Sequence, residues 1–248
     1  MCGRYTQLAA WSDLVTLYRI TATADRPNLA PHYNAAPTQM LPVVRRSIAA
    51  GRELLLMRWG LVPSWAKDLS FGARTINARA ETVHRLPSFR AAFCSRRCLV
   101  PADGFYEWRK RPAGGKQPYL IRPATDAVWA FAGLWETWQR GEAETVLSFT
   151  IIVGAANPFL QPIHDRMPVI LHADAFDTWL DPQQPTDAVQ AMLAPYADEM
   201  TVVPVSSAVN NVRNDDPRCI APVGGAVTAA RAVELPEPSA NPAEVSLR

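Results

Sequence analysis

Leu8, Trp11, Leu14, Val15 and Tyr18 recur at helical spacing, which predicts an amphipathic helix packed on the body just behind the first residues of the chain. The stretch through Pro27, Pro31 and Pro37 is punctuated too often for regular structure and reads as an irregular wall or loop. Short strand candidates then dominate, at 41–45, 53–59, 98–101, 104–109, 118–122, 127–135, 145–153, 167–171 and 200–205. Gly114-Gly115 between two of them is a hairpin signal, and the short spacings elsewhere suit antiparallel pairing better than βαβ crossovers. Further helical intervals are few, one around 78–93 and one over 173–194 with Asp174 near its start. The expected class is α+β, with a curved, barrel-like, mostly antiparallel sheet flanked by a few helices. One domain over residues 2–232 is expected, followed by a disordered tail at 233–248, where Pro236, Pro238 and Pro242 stand among small and charged residues.

Composition agrees with a single core. Of 248 residues 48% are hydrophobic and 19% charged, enough apolar surface for one sizeable domain. The opening segment has no signal-peptide core, and no run approaches the roughly 20 apolar residues of a membrane helix, so a cytoplasmic protein without membrane contact is expected. Four cysteines, Cys2, Cys94, Cys98 and Cys219, are too few and scattered for a disulfide framework. Cys94-Ser95-Arg96-Arg97-Cys98 supplies two thiols and no nearby histidine pair, so no metal is expected. Neither is a cofactor: there is no phosphate-cradling glycine loop, no Gly-x-Ser-x-Gly elbow and no His-Glu-x-x-His. A net charge of +2 means that nucleic-acid binding must rest on a local basic cluster and not on the average field. A monomer is the default.

The chemistry is most legible at Cys2. Removing Met1 leaves an α-amine and a thiol on one residue, and such a 1,2-aminothiol captures aldehydes: the amine forms an imine and the sulfur closes on it to give a thiazolidine. Ordinary pKa values, about 7.7–8.0 for the amine and about 8.5 for the thiol, leave reactive fractions of both near neutrality. Gly3 allows close backbone approach, and Arg4 can hold a carboxylate or phosphate. The loop Trp59-Gly60-Leu61-Val62-Pro63-Ser64-Trp65 is either a hydrophobic corner or a platform for unpaired bases, with Lys67, Phe71 and Arg74 interleaving charge and ring beyond it. Asn77 either caps a helix or orients an amine or carbonyl, with Arg79 two residues on facing a phosphate. Glu107 lies in the aromatic strand Gly104-Phe105-Tyr106-Glu107-Trp108. It either faces solvent or faces an apolar interior, which would raise its pKa and suit it to general acid work. His164, beside Asp165 and Arg166, is an acid/base candidate, whereas His32, His84 and His172 lack comparable surroundings.

Met1-Cys2-Gly3-Arg4-Tyr5, the Trp59–Trp65 run, Asn77-Ala78-Arg79-x-Glu81-Thr82, the Gly104–Trp108 run and His164-Asp165-Arg166-Met167-Pro168 occur in that order, and Val205-Ser206-Ser207-Ala208-Val209-Asn210 follows. Together they resemble the SRAP family of abasic-site processing proteins, associated with the SOS response. The resemblance implies recognition of abasic sites in single-stranded DNA and a thiazolidine crosslink through mature Cys2. It also implies that Asn77 orients the amine and sugar, that Glu107 handles protons and that His164 assists ring opening and reversal. Arg4, Arg79 and Arg166 would hold phosphates, and Trp65 and Phe71 would stack on bases. Some members carry two adjacent aromatic residues where this chain has Trp65-Ala66, so Phe71 is expected to supply the second ring. Imine formation opens a lyase side reaction, and a self-processing peptidase role is part of the family picture. The rival readings are an N-terminal cysteine hydrolase acting on peptides or amides, and a DNA-binding module without chemistry.

Overall fold

The computed structural model describes residues 2–22, 29–47, 51–112, 114–125, 127–140 and 144–229. The chain opens with strand β1 (Tyr5–Gln7), helix α1 (Trp11–Leu17), β2 (Ile20–Ala22) and β3 (His32–Ala35). The hairpin of β4 (Met40–Arg46) and β5 (Arg52–Trp59) follows, then a 3-10 turn (Leu69–Arg74), β6 (Asn77–Arg79) and α2 (Arg90–Ser95). β7 (Arg97–Ala102), β8 (Gly104–Lys110), β9 (Lys116–Pro123), β10 (Trp129–Arg140) and β11 (Glu144–Ala155) make up the centre of the chain. It continues through β12 (Arg166–Pro168), β13 (Ile170–Leu171), α3 (Phe176–Leu180), α4 (Thr186–Ala191), β14 (Met200–Pro204) and β15 (Val227–Ala229).

β11, β10, β7, β4 and β5 pair edge to edge, and parallel pairing of β5 with β11 closes them into a five-stranded barrel. At the closure Trp59 lies beside Phe149, their rings stacked at 6.2 Å. A second sheet, in the order β15-β14-β9-β8-β1-β3, adds one face to the same core. Period-two alternation explains the layering. Along β10, Trp129 and Phe131 point into the shared core with Trp59, Phe149, Tyr5 and Phe105, while Ala130, Ala132 and Leu134 face an outer layer that includes Leu14 of α1 and Phe93 of α2. The pairings are mostly antiparallel, as expected; β2 and β6 join β5 and β11 in parallel. Gly114 and Gly115, at φ 91° and 76°, turn the hairpin between β8 and β9.

Both downstream helical intervals require correction. Over 78–93 the chain forms β6, then turns, and only α2 is helical. Pro87 disfavours helix at Leu86, and Ala80 instead donates its amide to Val153 O at 2.9 Å, which ties this segment to β11. Over 173–194, Pro182 and Pro185 divide the interval into α3 and α4. The stretch read as irregular contains β3, paired with β1. Its residues near Pro27 and the proposed tail, 233–248, lie outside the described residues. Among the described residues no helix is long and apolar enough to cross a membrane.

One close approach positions a surface used below. Gly60, at φ +111°, crosses Gly72 so tightly that a Cβ on it would meet Gly72 O at 2.6 Å. The Gly60→Ala variant should therefore lose more than about 2 kcal/mol of stability, read as a lower denaturation midpoint at unchanged slope. A midpoint equal to wild type would show that the two backbones part without cost.

Candidate active site

β1 lies between β8 and β3, and Tyr106 donates its backbone N–H to Arg4 O at 3.0 Å, so the residues before β1 are held against β8. On the far side of β1 the amides of Leu8 and Ala9 both meet the Asp103 carboxylate. The Cys2 side chain is fully buried as a result. Its Sγ lies 3.9 Å from Arg4 O, and its carbonyl accepts a 2.8 Å hydrogen bond from Asn77 Nδ2. Asn77 reaches that position because β6 pairs with β11 beside Ile151, and because Trp59 Nε1 donates to Ile76 O at 2.9 Å. Asn77 Oδ1 is buried and has no hydrogen-bond partner among the described residues, so it remains available to a donor.

Glu107 shares the face of β8 that Phe105 turns to the core, and is 5% exposed. The solvent-facing alternative is thereby excluded. Burial raises its pKa, opposed by the terminal ammonium and by His164. Burial, and then the Glu107 carboxylate, push the Cys2 thiol far above its ordinary value. That corrects the expectation of an untuned thiolate: here the sulfur carries its proton, and a base must take it. The same electrostatic links place Cys2, Glu107 and His164 in one cluster, with Asn77 hydrogen-bonded to its first member.

His164 Nδ1 accepts the backbone N–H of Arg166 at 2.9 Å and lies 3.0 Å from Asp165 Oδ1. The two neighbours ask opposite things of this nitrogen: the Arg166 amide, a donor, favours a bare Nδ1, and the Asp165 carboxylate, an acceptor, favours a proton on it.

The arginines are placed less simply than expected. Asn77, Arg79 and Glu81 are two residues apart, and the Glu81 carboxylate bonds the Arg166 guanidinium. Burial tends to raise the Glu81 pKa, but its own backbone amide, Arg166 and Arg79 together bring it below the ordinary value. Any ligand at Arg166 would have to share it with this acid. Arg4 spends Nη1 on Asn34 Oδ1 (2.9 Å) and Val209 O (3.0 Å), and burial lowers its pKa.

Two further surfaces carry the remaining candidates. Trp65, 57% exposed, meets Phe71 edge-on at 5.0 Å, and Arg74 lies 4.8 Å over the Phe71 ring. These residues, with Lys67, line a cavity of about 320 Å³. Thr75 ties this loop to the strand of Asn77 through a 2.6 Å bond from its hydroxyl to Leu61 O. Phe71 thus sets a second ring against Trp65. Beside Cys2, Gly3, Arg4, Pro37, Thr38, Ile76 and Val212 border a cavity of about 510 Å³. Arg4 also borders a neighbouring one of about 390 Å³ with Trp108, Lys116 and Asn210. Sequence reasoning gives Trp108 no role of its own within its motif, and it passes over Lys116 and Thr38, whose types and spacing mark no chemistry. Among the described residues no group of three or more metal-ligating side chains forms.

A family model described as SOS response associated peptidase (SRAP) matches residues 1–212. The abasic site processing protein YoaM of Bacillus subtilis is 41% identical over 217 residues, covering 87% of this chain and 95% of that protein. The abasic site processing protein HMCES of Gallus gallus is 36% identical over 225 residues, 78% of this chain and 66% of that one. A crystal structure of a protein from Bacteroides thetaiotaomicron shares the fold at a TM-score of 0.79 and 26% identity, covering 88% of this chain and 98% of that one.

The raised pKa of Glu107 has a consequence for stability. Between its unfolded and folded pKa values the native state binds the extra proton, so stability falls as pH rises through that window. Glu107→Gln removes the titration. It should melt above wild type at pH 8, the gap closing as pH drops towards the ordinary glutamate value, in thermal scans across pH. A constant gap would place the effect in packing instead of charge.

Proposed function

The chain belongs to the SOS response associated peptidase (SRAP) family, and from that membership we propose that it processes abasic sites in single-stranded DNA by forming a covalent thiazolidine through Cys2. The observation that carries this reading is the grouping of Cys2 and Glu107, both buried, with the half-buried Asn77 and His164 around the first residues of the chain.

Removal of Met1 frees the Cys2 amine. His164 hydrogen-bonds to the ring oxygen of the abasic deoxyribose, a water molecule takes the anomeric hydroxyl proton as that oxygen gains one, and the aldehyde opens. The amine adds to the aldehyde carbon. Glu107, whose pKa burial raises, gives its proton to the hydroxyl that leaves as water, and an iminium ion remains. The Cys2 sulfur then bonds to the iminium carbon as the Glu107 carboxylate takes the thiol proton, closing the ring with the nitrogen neutral and Glu107 restored. Asn77 holds the Cys2 carbonyl and offers Oδ1 to the amine. Prepositioning makes closure intramolecular, for which effective molarities reach about 10⁵ M or more. Before closure the imine also permits β-elimination, so abasic-site lyase activity competes. Arg4, Arg79 and Arg166 hold flanking phosphates, and Trp65 with Phe71 receives bases.

Intact mass spectrometry with an abasic single-stranded oligonucleotide tests the reading. A species lacking Met1 should gain the DNA mass without borohydride, and Cys2→Ala should gain none. No stable adduct from wild type would sink the proposal in favour of a non-covalent binder. Glu107→Gln should slow crosslinking about 10²-fold with affinity for the strand nearly unchanged; equal losses in both would make Glu107 structural. With three arginines on phosphates, log affinity against log salt should fall with a slope of roughly −2, and a salt-independent affinity would refute the phosphate contacts.

A further inference from the structure

Asn34, on β3, has no exposed surface. Its amide nitrogen donates to the carbonyls of Asn214 (2.7 Å), Asn211 (3.2 Å) and Val209 (3.3 Å), while its oxygen accepts from Arg4 Nη1 at 2.9 Å. Its backbone N–H donates to Asp215 Oδ1 at 2.8 Å, and the other oxygen of that carboxylate meets His32 Nδ1 at 2.8 Å. One side chain therefore joins β3, and Arg4 just before β1, to a segment that begins 175 residues beyond Asn34.

Both hydrogens on Arg4 Nη1 are committed, one to Asn34 and one to Val209 O. A guanidinium is planar, so its orientation is set and its donors on Nε and Nη2 remain for a ligand. Arg4 borders both cavities beside Cys2. The segment that Asn34 grips supplies their other walls, Val212 in one and Asn210 in the other, where Asn210 Oδ1 accepts Trp108 Nε1–H at 2.7 Å.

We infer that Asn34 is a positioning residue for the DNA strand: it fixes Arg4 and the 209–214 segment as one unit, so that a phosphate beside Cys2 meets a guanidinium already oriented for it. This rests on the single-strand reading proposed above. A flexible arginine would have to lose side-chain freedom on binding, and Asn34 removes that cost before the ligand arrives.

The test uses an intact, unmodified single-stranded oligonucleotide in a salt series, with Asn34→Ala, Asn34→Asp, Arg4→Ala and the Asn34→Ala/Arg4→Ala double variant. Asn34→Ala and Arg4→Ala should each bind about tenfold more weakly with a slope shallower by about 0.7, and the double variant no more weakly than Arg4→Ala alone. Asn34→Asp keeps an acceptor for Arg4 but neutralises it, and should show the same loss of slope. An unchanged slope for Asn34→Ala, or a full second loss in the double variant, makes Asn34 merely structural and overturns the inference alone. Failure of wild type to bind the strand overturns both this and the single-strand reading. If the Asn34 variants do not fold, wild type still decides: Arg4 Nη1 should give a resolved, slowly exchanging proton resonance in the free protein, and a freely rotating guanidinium overturns the inference.

Discussion

The hydrogen bond from Tyr106 N–H to Arg4 O seats the beginning of the chain against β8. Chain ends ordinarily fray, because few contacts repay the entropy of ordering them. This one is held by a three-residue strand with a partner on each side, so the residues before it enter the protein instead of leaving it. Cys2 owes its burial to that pairing, Asn77 can reach its carbonyl only because of it, and the Glu107 side chain, one residue beyond Tyr106, is brought to bear on the same sulfur.

Burial sets the chemistry as well as the geometry. The apolar surroundings that raise the Glu107 pKa also raise that of the Cys2 thiol, and the Glu107 carboxylate adds to the second effect. Two neighbouring acids whose environment favours their protonated forms suit proton delivery and collection in sequence. They also shield the sulfur, since a neutral, enclosed thiol is a poor target for stray oxidants and electrophiles.

Much of the fold is legible in the chain because its strands alternate faithfully: Trp129, Phe131 and their intervening alanines announce both faces of β10. The helical intervals mislead where proline divides them, at Pro87, Pro182 and Pro185, and where β6 is recruited by pairing with β11, a contact that no local pattern encodes. The candidate residues Cys2, Asn77, Glu107 and His164 are readable as reactive types in motifs, whereas strand period leaves both faces open to Glu107 and only the packing of β8 turns it inward. Asn34 is not readable in this way. Its partners lie at the two ends of the chain, and a polar residue in a proline-rich stretch looks like loop until β3 is paired.

The short strand also has a mechanical meaning. A load applied at Cys2 enters the protein through β1, whose antiparallel partners are matched at Tyr5 with Phe105 and Ala35. Traction along the strand axis stretches these bonds together in shear, backed by the Leu8 and Ala9 amides on Asp103. Traction across the sheet peels them singly, beginning at the Arg4 carbonyl. The direction of such a load, and not only its size, therefore decides whether the first residues of this protein stay seated.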